Sequence, residues 1–171
     1  MKKLSSNPAE APEHHGRPEG AKPLRGLERL PGSPGCFICD NNGSNPRALR
    51  LKLMWDEETQ TVKIPIIPDD TWCGYSNVVH GGLIAAVLDE GMAWAVKKKS
   101  GEWAFTADFH LRYKRPVEPG RDYTVVASVG ELGGRKIEAQ ARLLDGDGRV
   151  AALADAVFLP AGGQARPRSK D

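Results

Sequence analysis

The stretch GYSNVVHGGLIAAVLDEGM, residues 74–92, passes from a polar loop into an almost continuous apolar run. Its apolar residues recur at spacings of three and four, which predicts a helix from Gly82 to Lys99. Because nearly every side of this helix is apolar, we expect it to be buried. Three lysines precede Ser100 and Gly101, a combination that is typical of a helix C-terminus. One buried helix is therefore the centre of the predicted fold.

Apolar and polar residues alternate with a period of two in several segments around the helix, which predicts β-strands. Pro65 lies inside one of them and places that strand at a sheet edge or a bulge. The segments are residues 49–55 and 62–66 before the helix, and 103–113, 123–129, 136–144 and 150–158 after it. An α+β fold, in which one antiparallel sheet wraps around one helix, satisfies this order.

The length of 171 residues fits one domain with tails, and 40% apolar with 27% charged residues is ordinary globular composition. Residues 1–35 hold six of the thirteen prolines and almost no apolar periodicity. Such a segment cannot bury enough apolar surface to offset its ordering entropy. The sequence therefore predicts a disordered leader over 1–35, a domain over 36–160 and a disordered tail over 161–171.

The formal charge of +2 belongs to the two tails, because residues 36–160 alone carry a net charge of −2. This balance gives no support to nucleic-acid binding by the domain. Lys2 and Lys3 are not followed by the apolar region of a signal peptide, and no apolar stretch is long enough to span a bilayer. We therefore expect a cytoplasmic protein that does not associate with membranes.

Cysteines 36 and 39, in the sequence Cys36-Phe-Ile-Cys39, have the spacing of half a zinc site. No second pair of this spacing exists, and the three cysteines of the chain do not make a disulfide framework. The other soft ligands are His14, His15, Cys73 and His80. A pair of reduced cysteines packed at the start of the domain is the favoured interpretation, and we expect no metal site.

The start of the helix and an acid pair within it are the candidate site. Gly81 and Gly82 leave backbone N–H groups exposed at the positive end of a helix, which suits an oxyanion, although the glycines taken alone favour a tight turn or close packing. The acid pair in the apolar helix is what favours a site. Asp89 lies seven residues beyond Gly82, on nearly the same helix face but about 10 Å further along. One carbonyl group cannot contact both. If both take part, a second subunit related by a two-fold axis must supply one of them.

Residues 74–92 closely resemble the helix-opening motif of PaaI-like hotdog-fold thioesterases, within the 4-hydroxybenzoyl-CoA thioesterase superfamily. The resemblance extends over about 36–160 and includes the cysteine pair with Asn45-Pro46, the strand and turn of 106–119, and the closing hairpin. It implies a helix wrapped by a curved antiparallel sheet, assembled as a homodimer or a dimer of dimers. It also implies hydrolysis of acyl-coenzyme A thioesters, with coenzyme A as part of the substrate and no cofactor.

The resemblance also implies roles for individual residues. Asp89 matches the catalytic carboxylate, which acts as a general base or as a nucleophile. Gly81 and Gly82 match the segment whose backbone N–H polarises the thioester carbonyl. His80 and Asn77 lie where the family places residues that shape or polarise that carbonyl, although His80 could equally be a structural loop residue.

Two further residues are weaker candidates. Glu90 could replace Asp89, but it lies about 100° away around the helix, and its alternative role is a salt bridge or a hydrogen bond at a dimer interface. Family members often carry a hydroxyl on the long strand, for which Thr106 is the nearest candidate, with Ala107 or Asp108 as alternatives.

Substrate binding is expected from apolar residues near the motif and from basic residues that could meet the phosphates of coenzyme A. The candidates are Val79, Leu83, Trp72 and Trp94 for the acyl group, and Lys114, Arg115 and Arg135 for the phosphates. For the tryptophans, core packing is the alternative interpretation. A non-catalytic acyl-CoA-binding module on the same fold is the alternative function.

Overall fold

The predicted helix is present in the computed structural model, which describes residues 26–133 and 135–162. It is α1 (Gly81–Ser100), one residue longer at each end than the sequence predicts. His80 is the N-cap, and Gly101 ends the helix in the left-handed conformation, with its N–H donating to the Lys97 carbonyl. No described helix is long and apolar enough to cross a membrane.

The antiparallel sheet is also present. Its strands are β1 (Leu27–Arg29), β2 (Met54–Asp56), β3 (Thr61–Ile66), β6 (Ala104–Tyr113), β7 (Tyr123–Gly133), β8 (Lys136–Asp145) and β9 (Val150–Pro160), and a separate pair is formed by β4 (Cys73–Tyr75) and β5 (Val78–Val79). The order in the large sheet is β1-β2-β3-β7-β8-β9-β6, which leaves β6 at an edge. One helix packed on a large antiparallel sheet is the hotdog fold predicted from the sequence.

The helix α1 packs so closely against β7 that no side chain fits between them at Gly91. A Cβ atom at Gly91 would lie 3.0 Å from Val125 Cγ1 and 3.2 Å from Ala127 Cβ, so β7 leaves no room for a side chain at this position. Leu88 and Met92, on either side, are fully buried. Since alternate residues of β8 and β9 are also buried, the space between α1 and the sheet is filled.

The fold begins earlier than predicted. Leu27–Arg29 pairs with Met54–Asp56, and the N–H of the buried Leu30 donates to the Leu53 carbonyl at 2.9 Å. Residues 26–35, which the sequence assigned to a disordered leader, are therefore part of the sheet and its connection, because one short apolar segment suffices to extend an edge. The rest of the predicted leader, residues 1–25, and residues 163–171 of the predicted tail lie outside the described residues.

The first predicted strand is largely wrong, since only Met54–Asp56 of that region is a strand. Arg50 has a positive φ of 54°, which interrupts extended structure. The N–H groups of Leu49 and Leu51 donate instead to the carbonyls of Phe37 and Ile38, at 2.7 and 2.9 Å. The alternation of period two arises because this segment packs on the core beside the Cys36–Cys39 turn.

Candidate active site

In the peptide group between Gly81 and Gly82, both the N–H and the carbonyl are hydrogen-bonded. The Gly82 N–H donates to Nδ1 of His80 at 2.9 Å, and the hydroxyl of Tyr113 donates to the Gly81 carbonyl at 2.8 Å. The preceding N–H, that of Gly81, has no acceptor among the described residues. The positive end of α1 therefore presents one free N–H group, and it belongs to Gly81 rather than Gly82.

The glycines here are also required by close packing. A Cβ atom at Gly81 would lie 2.8 Å from the Tyr113 hydroxyl, and one at Gly82 would lie 3.0 Å from His80 Nδ1. At Gly74 it would lie 2.8 Å from His80 Cδ2. Tyr113 could not be singled out from sequence, because its position opposite Gly81 depends on how β6 lies against α1. Partial burial raises the pKa of Tyr113, so its hydroxyl remains a donor at neutral pH.

A cleft of about 580 Å³ lies in front of this helix end. It brings together several of the residues predicted from the sequence: Val79, His80, Gly81, Lys114 and Arg115. The other residues lining it are Gly74, Tyr75, Val78, Ile84, Tyr113, Pro116 and Val117. Its walls are thus mainly apolar, with two cations at one side and the free Gly81 N–H at the helix start, an arrangement suited to a ligand with an apolar part and an anionic part.

Asp89 lies further along α1, half-buried, and is not among the residues that line the cleft. Its Oδ1 accepts a hydrogen bond of 2.7 Å from the hydroxyl of Thr106 on β6. The pairing of β6 with β9 is irregular between Thr106 and Asp108, where Ala107 is an extra residue. Because of this bulge, Thr106 rather than Ala107 or Asp108 meets the helix acid.

Glu90 faces a different part of the chain. Its Oε1 accepts a hydrogen bond of 3.0 Å from the Trp94 indole, and its Oε2 lies 3.6 Å from Sγ of Cys36. Among the described residues it forms no salt bridge. It is therefore directed at the N-terminal segment, away from Thr106.

Other predicted residues lie away from the cleft. Asn77 is exposed in the turn between β4 and β5, where its φ of 59° is one that asparagine tolerates. Trp72 and Trp94 are buried in the core, and Leu83 packs against it. Arg135 is exposed in the turn between β7 and β8. Trp72 still acts on the cleft through its main chain, since its carbonyl accepts the His80 N–H at 2.7 Å.

Residues 76–152, which include α1 and β6, match the family model of the Thioesterase superfamily. This part of the chain is similar to the Thioesterase superfamily. The matched residues contain the free N–H at Gly81, the Asp89–Thr106 pair and the two cations of the cleft, whereas Gly74 and Tyr75, which also line the cleft, lie just before them.

Two relatives resemble this chain in sequence. An uncharacterised protein of Schizosaccharomyces pombe is 32% identical over 78 residues, which are 45% of this chain and 45% of that protein. A proposed esterase of Pseudomonas aeruginosa is 25% identical over 145 residues, 84% of this chain and 97% of the relative. The chain thus spans less than half of the first relative and nearly all of the second.

Solved structures share the fold of this chain. A thioesterase superfamily protein is 25% identical, with a TM-score of 0.63 over 68% of this chain and 56% of that chain. The Escherichia coli PaaI protein of the phenylacetic acid degradation operon is 20% identical, with a TM-score of 0.61 over 69% and 84%. A Streptococcus pneumoniae hypothetical thioesterase, solved with coenzyme A, is 16% identical, with a TM-score of 0.56 over 64% and 84%. The last two likenesses concern the fold alone.

Proposed function

We propose that this chain hydrolyses an acyl-coenzyme A thioester to the free acid and coenzyme A. The observation that carries the proposal is the free Gly81 N–H at the positive end of α1, on the wall of an apolar cleft. A fixed donor of this kind stabilises the negative charge that develops on a thioester oxygen during attack. The family match over 76–152 supports the same chemistry.

Asp89 is the proposed base. Its carboxylate takes a proton from water while the water oxygen attacks the thioester carbonyl carbon, and the Gly81 N–H stabilises the oxyanion of the tetrahedral intermediate. The C–S bond then breaks, and the coenzyme A sulfur leaves with the proton. Thr106 occupies only Oδ1 of the carboxylate, which fixes its orientation and leaves Oδ2 for the water.

Lys114 and Arg115 are the proposed contacts of the coenzyme A phosphates. Both line the cleft, and an Arg115 guanidinium nitrogen is anchored by donating to the Val150 carbonyl at 2.5 Å. Because the net charge of residues 36–160 is −2, attraction for the phosphates must come from such local cations rather than from a general positive field. The binding of coenzyme A by the Streptococcus pneumoniae neighbour supports this choice of substrate.

The complete site is proposed to form between two subunits. Asp89 lies eight positions beyond Gly81 in α1, which is about 12 Å along the helix, whereas the thioester oxygen must lie about 3 Å from the N–H and the attacking water about 3 Å from the carboxylate. β6 lies at the sheet edge with Phe105 and Tyr113 exposed. A two-fold axis near His110 would continue the sheet through two antiparallel β6 strands and bring Gly81 close to the partner subunit's Asp89.

Thiol release from a panel of short-chain, medium-chain, long-chain and aromatic acyl-CoA substrates tests the activity. We expect release from at least one class, far above spontaneous hydrolysis. Thermal stabilisation of the protein by acyl-CoA without any thiol release would overturn the proposal and indicate a binding module instead.

Sharing of the site is tested by mixing two inactive variants, Gly81→Ala and Asp89→Asn, through co-expression with different affinity tags. Each homodimer lacks half of every site, but a mixed dimer has one intact site. We expect a random mixture to recover about a quarter of wild-type activity, and the double variant mixed with wild type serves as the control for subunit exchange. Purified mixed dimers without activity would show that each subunit works alone.

A further inference from the structure

Two thiols and a carboxylate meet where residues 33–39 pack against α1. Sγ of Cys36, Sγ of Cys39 and a carboxylate oxygen of Glu90 all lie within 4.8 Å of one another. Cys39 is fully buried, while Cys36 and Glu90 are half-buried. None of these residues lines the cleft or contacts Thr106. The cluster is thus separate from the proposed catalytic groups, although Glu90 directly follows Asp89 in the sequence.

The spacing of the cluster fits a tetrahedral zinc ion. Zinc binds thiolate at about 2.3 Å and carboxylate at about 2.0 Å, so the sulfur and oxygen ligands of one ion stand about 3.5 Å apart. Here Cys36 Sγ and Glu90 Oε2 are 3.6 Å apart. A thiolate pair with one carboxylate is also a ligand set that zinc accepts.

Neighbouring groups already orient all three side chains. The Ile38 N–H donates to Cys36 Sγ at 3.3 Å, and the Ser33 N–H donates to Cys39 Sγ at 3.2 Å. The Trp94 indole holds the other oxygen of Glu90. Such outer hydrogen bonds stabilise thiolate charge and fix the direction of a ligand.

We propose that Cys36, Cys39 and Glu90 bind a zinc ion, with water in the fourth position on the half-exposed Cys36 side. The sequence showed only half of such a site, because the third ligand comes from the helix acid that the proposed hydrolysis does not use. The ion would fasten residues 33–39 to α1 one residue beyond Asp89. Its role is structural, and it is independent of whether the cleft hydrolyses a thioester.

The metal content of the full chain tests this proposal. The protein is produced with added zinc, purified under reducing conditions, dialysed and measured by mass spectrometry of its metals. We expect about one zinc per chain in the wild type and in Cys73→Ser, the matched control, whose cysteine lies outside the cluster. Zinc should be lost in Cys39→Ser and bound at least tenfold more weakly in Glu90→Gln.

A second measurement avoids the risk that removing a buried thiol disturbs folding. Adding zinc to the reduced, chelator-treated wild type, at about 100 times its Kd, should raise Tm by about 5–10 °C. Cobalt in place of zinc should give thiolate-to-metal charge-transfer absorption. The proposal fails if the folded, reduced wild type takes up no zinc, or if Cys39→Ser and Glu90→Gln retain it fully. It also fails if the cysteines form a disulfide and the reduced form shows no shift in Tm.

Discussion

The helix α1 meets the edge strand β6 at two points that are built in different ways. At one, the Tyr113 hydroxyl bonds to the main-chain carbonyl of Gly81, and the missing Cβ of that glycine makes room for it. At the other, two side chains meet, since Thr106 donates to Asp89. The first contact therefore depends on shape and the second on charge and a single hydrogen bond.

This difference separates two chemical tasks along one helix. The N-terminal end offers a backbone donor, which substitutions other than proline can displace but not remove. The middle offers a carboxylate that a single substitution can neutralise. Because the two points are about 12 Å apart on the helix, one chain does not bring both groups to a single location.

The largest effect should follow from neutralising the carboxylate. We expect Asp89→Asn to lower kcat by about 10³-fold, because the amide keeps the size of the side chain but cannot accept a proton from water. Glu90→Gln is the matched control on the same helix, and its loss should stay below about tenfold. Thiol-release kinetics decide between them, with circular dichroism to confirm folding. The opposite pattern would move the base to Glu90.

A smaller but still large effect should follow from a methyl group at the donor end. In Gly81→Ala the new Cβ clashes with the Tyr113 hydroxyl, so the start of the helix has to shift. Because this shift moves the N–H of residue 81 away from the oxyanion, we expect kcat to fall by about 10²-fold. Adding Tyr113→Phe removes the obstructing oxygen and should restore part of this loss. If the double variant is no better than Gly81→Ala, steric displacement is not the cause.

The smallest effect should follow from loss of the single hydrogen bond to the acid. Thr106→Val keeps the shape of the side chain and removes its donor, which should lower kcat by about tenfold with KM little changed. Thr106→Ser keeps the hydroxyl and should retain most of the activity. Equal losses in the two variants would assign Thr106 to packing rather than to orientation of Asp89.

The periodicity of apolar residues predicts the helix and most of the strands that pack in the core. Local backbone conformation and packing determine the elements that periodicity does not predict correctly. α1 was located to within one residue at each end, because its apolar spacing and its final glycine are local signals. Residues 49–53 were misassigned, since a segment lying on the core can alternate like a strand without pairing as one. The β1 strand was missed because three residues carry too little pattern.

In the candidate site, too, some residues can be predicted from local sequence and others depend on three-dimensional contacts. Gly81 and Asp89 are candidates from the chemistry of a helix start and of acids in an apolar helix, whereas His80 is a candidate from the family resemblance. Thr106 could not be selected securely, because strict alternation along β6 would direct it away from the side of Phe109 and Leu111, which pack on the core. The bulge at Ala107 reverses the sides of the strand on which the residues before it lie. The local sequence does not predict this bulge. The contact of Tyr113 with Gly81 likewise exists only in three dimensions.

The close approach of α1 to β7 at Gly91 bears on how long an acyl chain can be. Only 3.0 Å would separate a Cβ there from Val125, and the flanking Leu88 and Met92 are fully buried, so a hydrocarbon tail cannot thread between the helix and the sheet. An acyl tail of the proposed substrate that outgrows the cleft would therefore have to lie outside the space between α1 and the sheet. In that case its length is limited by what covers the outer surface of the domain, and not by the interior.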